Sequence, residues 1–88
     1  MYHYLFEFLG TLIFTYVILA TANPLAIGAT FALIKLLTLN LTPGYLNPAI
    51  TITLASAGVI SSTDVLFFCV VQVFGGLVAL ELFKRYKL

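Results

Sequence analysis

Charge is scarce in this sequence: four Lys/Arg and three Asp/Glu in 88 residues. That is too few to coat a soluble domain, and a soluble domain of this length struggles to bury a core. Cysteine occurs once, as Cys69 within an apolar run, so no intrachain disulfide forms and the redox compartment is not legible. Histidine also occurs once, as His3, and the carboxylates Glu7, Asp64 and Glu81 are spread far apart. No catalytic constellation can be assembled from this set. His3 and Glu7 have i, i+4 spacing, but two ligands are too few for a metal site. The chain therefore reads as neither an enzyme nor a metalloprotein, and no cofactor is expected. Residues 1–20 lack a basic n-region, which argues for a retained helix rather than a cleaved signal peptide.

Apolar residues dominate: 62% of the chain is hydrophobic, with a mean hydropathy of +1.16. This is the composition of an integral membrane protein. A bilayer core about 30 Å thick takes roughly 20 helical residues per crossing. The length allows three crossings and one short extra element, with no room for a soluble domain. The spans are expected at about residues 2–21, 25–41 and 64–84, within a single unit over 1–88. Asn23-Pro24 ends the first span and Ser61-Ser62-Thr63-Asp64 opens the last. Tyr2, His3 and Tyr4 at one end, and Lys84, Arg85, Tyr86 and Lys87 at the other, are interfacial anchors.

Residues 42–58 fit neither a span nor an aqueous loop. Pro43 and Gly44 break the chain, Asn47 offers an N-cap, and Pro48 takes the first helical position, where a missing N–H costs nothing. A short apolar helix follows. Irregular backbone at membrane depth persists only where protein buries it or water reaches it. A re-entrant loop leading into a half-helix meets both conditions, with partial positive charge at the half-helix N-terminus. The expected fold class is thus all-α: three transmembrane helices plus a re-entrant loop and half-helix. Thr42, Pro43, Gly44, Tyr45 and Leu46 are expected to run extended, with carbonyls unpaired within the chain.

Asn47-Pro48-Ala49 together with Glu7-x-x-x-Thr11, Gly28 nineteen residues before Asn47, and Gln72 with Gly75-Gly76 resembles the major intrinsic protein family, the aquaporins and glycerol facilitators. The likeness spans nearly the whole chain and corresponds to one of the two repeats of a full-length member. Gln72 and the lack of arginine after Ala49 favour the first repeat. Pro24-Leu25-Ala26-Ile27-Gly28 and the basic C-terminus favour the second.

The resemblance implies a passive channel for water or small neutral solutes. Asn47, Pro48 and Ala49 would form half of the constriction, with the Asn47 amide donating to solute oxygen. Oppositely oriented half-helix dipoles would interrupt a proton-conducting water wire and repel cations. Pro43, Gly44, Tyr45 and Leu46 would supply a ladder of carbonyl acceptors. Glu7, Thr11 and Gln72 would support the loop, while Gly28, Gly75 and Gly76 would let helices cross closely. Ile27, Lys35 and Ile50 stand where the family places its selectivity filter. They match neither a narrow water filter nor an aromatic glycerol slide, and Lys35 is a candidate for the cation that Ile50 does not provide. Lysine snorkelling to the interface is the alternative. Tyr45 replaces a histidine usual in first-repeat loops.

One half-helix cannot close a pore, and its polar face is costly to expose to lipid. The expected partners are membrane lipid, a small neutral solute, and either further copies in antiparallel pairs and higher assemblies or a second half-repeat protein. The positive-inside rule favours N-out, C-in, so an antiparallel pair needs one copy inserted against that bias. A non-conducting structural or interaction subunit that retains the fold is the alternative function.

Overall fold

Asn23, Asn47 and Ser61 each open a helix. In the computed structural model, which describes residues 2–86, the chain forms α1 (Tyr2–Thr21), α2 (Pro24–Leu37), α3 (Pro48–Ser56) and α4 (Ser62–Arg85). Asn23 Oδ1 accepts from the N–H groups of Leu25 (2.9 Å) and Ala26 (3.2 Å), and Asn47 Oδ1 from Ala49 (2.7 Å). Pro24 and Pro48 occupy first positions, where the helix has no carbonyl to offer an N–H. The Ser61 hydroxyl caps α4 through the Asp64 N–H. At the far end of α3, Gly58 adopts φ +82, and the Val59 N–H returns to the Leu54 carbonyl at 2.9 Å. This is the left-handed closure that glycine favours after a helix.

Two bounds differ from expectation. The second helix stops at Leu37 rather than about residue 41. Thr38 leaves helical geometry (φ −110, ψ 19), with its hydroxyl and its N–H both directed at the Ile34 carbonyl (2.7 and 3.0 Å). The N–H groups of Leu41 and Thr42 then turn back onto the Thr38 carbonyl (3.0 and 3.1 Å). This turn delivers Thr42 to α1. The last helix starts at Ser62 rather than about residue 64, because Ser61 rather than a later residue supplies the cap.

α1 and α4 are long and apolar enough to cross a membrane, at 20 and 24 residues. α2 has 14 residues, about 21 Å of helix, and α3 has nine, about 14 Å. α1 and α4 run parallel: Tyr4 meets Phe68 (ring centroids 5.1 Å), Phe8 meets Phe74 (5.5 Å) and Tyr16 meets Phe83 (6.0 Å). The Tyr4 hydroxyl donates to Asp64 Oδ1 (2.6 Å) at one end, and Tyr16 donates to the Tyr86 carbonyl (2.7 Å) at the other. Between them lies Gly75, where a Cβ would sit 2.8 Å from the Phe8 carbonyl oxygen. α2 runs antiparallel to α1, with Phe14 against Phe31 (5.2 Å) and Ile34 against Gly10. Consequently the segment from the end of α2 to the start of α4 leaves and rejoins the bundle at one end of the α1/α4 pair.

The interior holds a polar cluster beside a small apolar core of Ile34, Leu46, Phe68 and Ala79, and the exterior is largely apolar. Glu7, Thr11, Thr42, Thr51 and Gln72 are buried, while Leu5, Leu9, Leu25, Leu36, Phe67, Val70 and Phe74 are exposed. Water would penalise that surface, whereas lipid tails accept it. This is the arrangement of an integral membrane protein. Lys87, one of the C-terminal anchors, lies outside the described residues.

A candidate pore-lining loop held by Glu7

The site is built around a carboxylate that α1 carries one and a half turns from its start. Glu7 is fully buried, and four donors converge on it. Oε1 accepts from the Leu46 N–H (2.5 Å) and Gln72 Nε2 (3.2 Å); Oε2 accepts from the Thr42 hydroxyl (2.5 Å) and the Gly44 N–H (3.2 Å). A carboxylate in apolar surroundings is tolerable only when its lone pairs are satisfied. Here the donors come from the loop and from α4. Among the described residues no buried side-chain nitrogen or oxygen lacks a partner.

One side chain holds the loop at two backbone positions, the Gly44 N–H on Oε2 and the Leu46 N–H on Oε1. Gly44 (φ +68) and Leu46 (φ +57) both adopt left-handed backbone, which turns the strand between Thr42 and Asn47. Glycine takes this conformation freely, whereas for leucine it is uncommon. The Leu46 conformation is sustained by its bond to Glu7 and by the packing of its 3% exposed side chain against Gly10. A Cβ on Gly10 would lie 2.9 Å from Leu46 Cδ2.

The carbonyl side of the loop departs from expectation in two ways. The segment is not uniformly extended, because of Gly44 and Leu46. Nor are all its carbonyls unpaired: Lys35 Nζ donates to the carbonyls of Pro43 (3.3 Å) and Gly44 (3.2 Å). Among the described residues, no protein donor reaches the Tyr45 and Leu46 carbonyls. Tyr45 instead sets its ring edge-on to Phe68 at 5.8 Å.

Asn47 lies at the tip of α3, exposed. Its Oδ1 is spent on the cap, and its Nδ2 has no partner among the described residues. Asn47 and Pro48 border a groove of about 350 Å³ lined also by Thr11, Thr15, Gln72 and Gly76. Those are middle residues of α1 and α4, so the α3 tip stands at mid-length of both. Thr51, fully buried, ties α3 to α4: Gln72 Nε2 donates to its hydroxyl oxygen at 2.8 Å.

Three expected roles take different forms. Gln72 does not reach loop carbonyls; its amide bridges Glu7 and Thr51. Thr11 makes no hydrogen bond to the loop either: its hydroxyl donates to the Glu7 carbonyl (2.8 Å), the usual way a helix absorbs a buried threonine. Gly28 is exposed and a Cβ there would meet nothing within 4 Å, whereas Gly75 is the tight crossing and Gly76 makes only ordinary contact with Thr15. The residues Ile27, Lys35 and Ile50 are not brought together within one chain. Ile27 is two turns of α2 away from Lys35, about 12 Å toward the opposite end, and Ile50 lies exposed on the first turn of α3. Ala49 and Ile50 line a shallow apolar groove with Thr53 and Leu54.

The side-chain role of Thr42, and any role for Thr51, Gly10 and Ile34, were not legible in the sequence. Threonines inside apolar segments were the available signal for the first two, since a buried hydroxyl needs a partner. Among the described residues no group of three or more His, Cys, Asp or Glu could hold a metal ion.

Residues 21–87 match the major intrinsic protein family. No curated protein and no solved structure gives a match. The family match takes in the capped α3, its loop, Lys35 and Gln72, and leaves only most of α1 outside it. Taken with two membrane-length helices around a polar interior, it shows that the chain belongs to the major intrinsic protein family, membrane channels and transporters rather than enzymes.

Proposed function

We infer that the chain is one aquaporin-like half-repeat, and that two or more copies with opposed half-helices assemble a passive channel for water or small neutral solutes. The observation that carries this reading is the position of Asn47. The loop and α3 start and finish at one end of the α1/α4 pair, yet the α3 tip reaches the middle of both helices. In a bilayer spanned by α1 and α4, that path is a re-entrant loop followed by a half-helix, with α2 and its terminal turn as the third, short crossing. Asn47 Nδ2 then offers a donor at mid-depth, beside the N-terminal dipole of α3. The Tyr45 and Leu46 carbonyls offer acceptors leading to it.

The opposite half of the constriction comes from another copy. Asn47, Ala49 and Ile50 are exposed at the α3 tip, and lipid cannot satisfy the asparagine amide. An antiparallel partner places a second Asn47 against the first and buries both tips. Gly28, with open space around it, becomes a crossing point between copies. Each pore mouth draws Ile27 from one copy and Lys35 with Ile50 from the other.

Osmotic swelling of vesicles containing the purified oligomer tests the function. Faster swelling than bare lipid is the expected result, reduced by Asn47→Ala. Swelling at the bare-lipid rate by correctly assembled protein assigns the fold a non-conducting structural role instead.

A further inference from the structure

Glu7 is bound by the loop, and Asp64 by Tyr4 and Ser61, but Glu81 has no partner among the described residues. Glu81 follows Gln72 by about two and a half turns of α4, so it stands on the side of the helix away from the interior. It is exposed there, beside the exposed Phe74 and Leu77. α4 is about 36 Å long against a hydrocarbon core of about 30 Å, so when centred it overhangs by about 3 Å at each end. Arg85 then stands among the headgroups, and Glu81, one turn earlier, at the edge of the hydrocarbon. Cα–Cβ bonds tilt toward a helix's N-terminus, so a short side chain at this end leans toward the bilayer centre. The longer arginine can turn back to the headgroups. A carboxylate in that position needs a cation. Arg85 has the i+4 spacing for it, yet no ion pair joins the two.

The two charges close one end of a groove of about 280 Å³, whose other lining residues are Phe74, Leu77, Val78 and Leu82. Phe8 stacks on Phe74 (5.5 Å) and fixes the far end. An occupant that satisfies this groove carries a cation for Glu81, an anion for Arg85 about 6 Å along the helix, and an apolar chain. We propose that the groove binds a phospholipid with a primary-amine headgroup. The ammonium donates to Glu81, the phosphate accepts from Arg85, and an acyl chain lies along Phe74, Leu77 and Val78. A primary ammonium brings three N–H donors to the carboxylate, whereas a trimethylammonium headgroup brings none. An anionic headgroup without an amine would leave Glu81 unpaired beside a second negative charge. The outward face of α4 thus selects a lipid by its headgroup, independently of whether anything passes through the protein.

Native mass spectrometry of the delipidated full-length assembly tests this, with titration of dioleoylphosphatidylethanolamine and, separately, dioleoylphosphatidylcholine. The ethanolamine lipid is expected to bind about tenfold more tightly, the effect of one charge-assisted hydrogen bond. Glu81→Gln should abolish that preference and leave the choline lipid's affinity unchanged. Arg85→Gln should weaken both lipids, because both carry the phosphate. Equal affinities in the unmodified protein overturn the proposal, as does a preference that survives Glu81→Gln. An Arg85→Gln protein that binds both lipids as before also overturns it. If Glu81→Gln instead lowers the number of copies in the assembly, the carboxylate is bonded by a cation of a second copy, and the lipid assignment falls.

Discussion

Glu7 and Lys35 hold the Pro43–Gly44 peptide from opposite sides, the carboxylate on the Gly44 N–H (3.2 Å) and the ammonium on the Pro43 carbonyl (3.3 Å). An anion on the donor side and a cation on the acceptor side orient the loop more firmly than either alone. The anion is buried with four donors around it, whereas the cation is half-buried and has capacity to spare. Their bonds divide the loop between them: Glu7 takes the Thr42 hydroxyl and the N–H groups of Gly44 and Leu46, and Lys35 takes the carbonyls of Pro43 and Gly44.

Glu7→Gln leaves the side chain in place but sets an NH₂ group against donors, since both carboxylate oxygens are used. At about 1–3 kcal/mol for each buried group left unsatisfied, the loss is expected to reach about 3 kcal/mol or more. Thermal unfolding in detergent reads it. A melting temperature equal to that of the unmodified protein would show that the loop does not depend on the carboxylate.

Substitutions at Gly75 and Gly28 test packing within the chain and the proposed packing between copies. Gly75→Ala drives a methyl to 2.8 Å from the rigid Phe8 carbonyl. The helices must separate, at a cost of about 1–3 kcal/mol for overpacking. Gly28→Ala meets nothing within the chain, so monomer stability should hold or rise slightly with helix propensity. If Gly28 is a crossing between copies, the same substitution lowers the oligomer population in analytical ultracentrifugation. Unchanged oligomerisation removes Gly28 from the interface.

Thr51→Val tests the tie between α3 and α4. Valine keeps the volume but leaves the Gln72 amide without its 2.8 Å partner, at an expected cost of about 1–3 kcal/mol. Hydrogen exchange should accelerate through residues 48–56 while α1 remains protected. Uniform acceleration would mean that α3 is no separate unit.

Asn47→Ala removes both the cap and the free amide. The cap loss costs about 1 kcal/mol, so the oligomer should survive under mild conditions while osmotic swelling slows. Asn47→Asp restores the cap acceptor but not the amide donor. Recovery of stability without recovery of flux is the expected split between them.

Helix starts were legible because their causes are local. Asn23-Pro24, Asn47-Pro48 and Ser61 act on neighbours within three residues. The end of α2 was not, because Thr38 and the turn after it answer to Thr42 meeting Glu7, 35 residues away in sequence. Glu7 and Gln72 could be picked out as polar groups at membrane depth, but not that they bond each other. The partners of Lys35 were equally hidden, since periodicity places a lysine on a helix without saying which loop folds beneath it. Gly10 carries no sequence signal at all apart from being a glycine in a span; its meaning comes from Leu46.

The proposed pore needs two copies of opposite orientation in one membrane. Single cysteines placed near each terminus, on a background with Cys69 replaced, can be labelled from one side of sealed vesicles before and after lysis. Two populations of comparable size are expected, each terminus reacting partly from outside and partly only after lysis. A single population, with every N-terminus on one side, would contradict it.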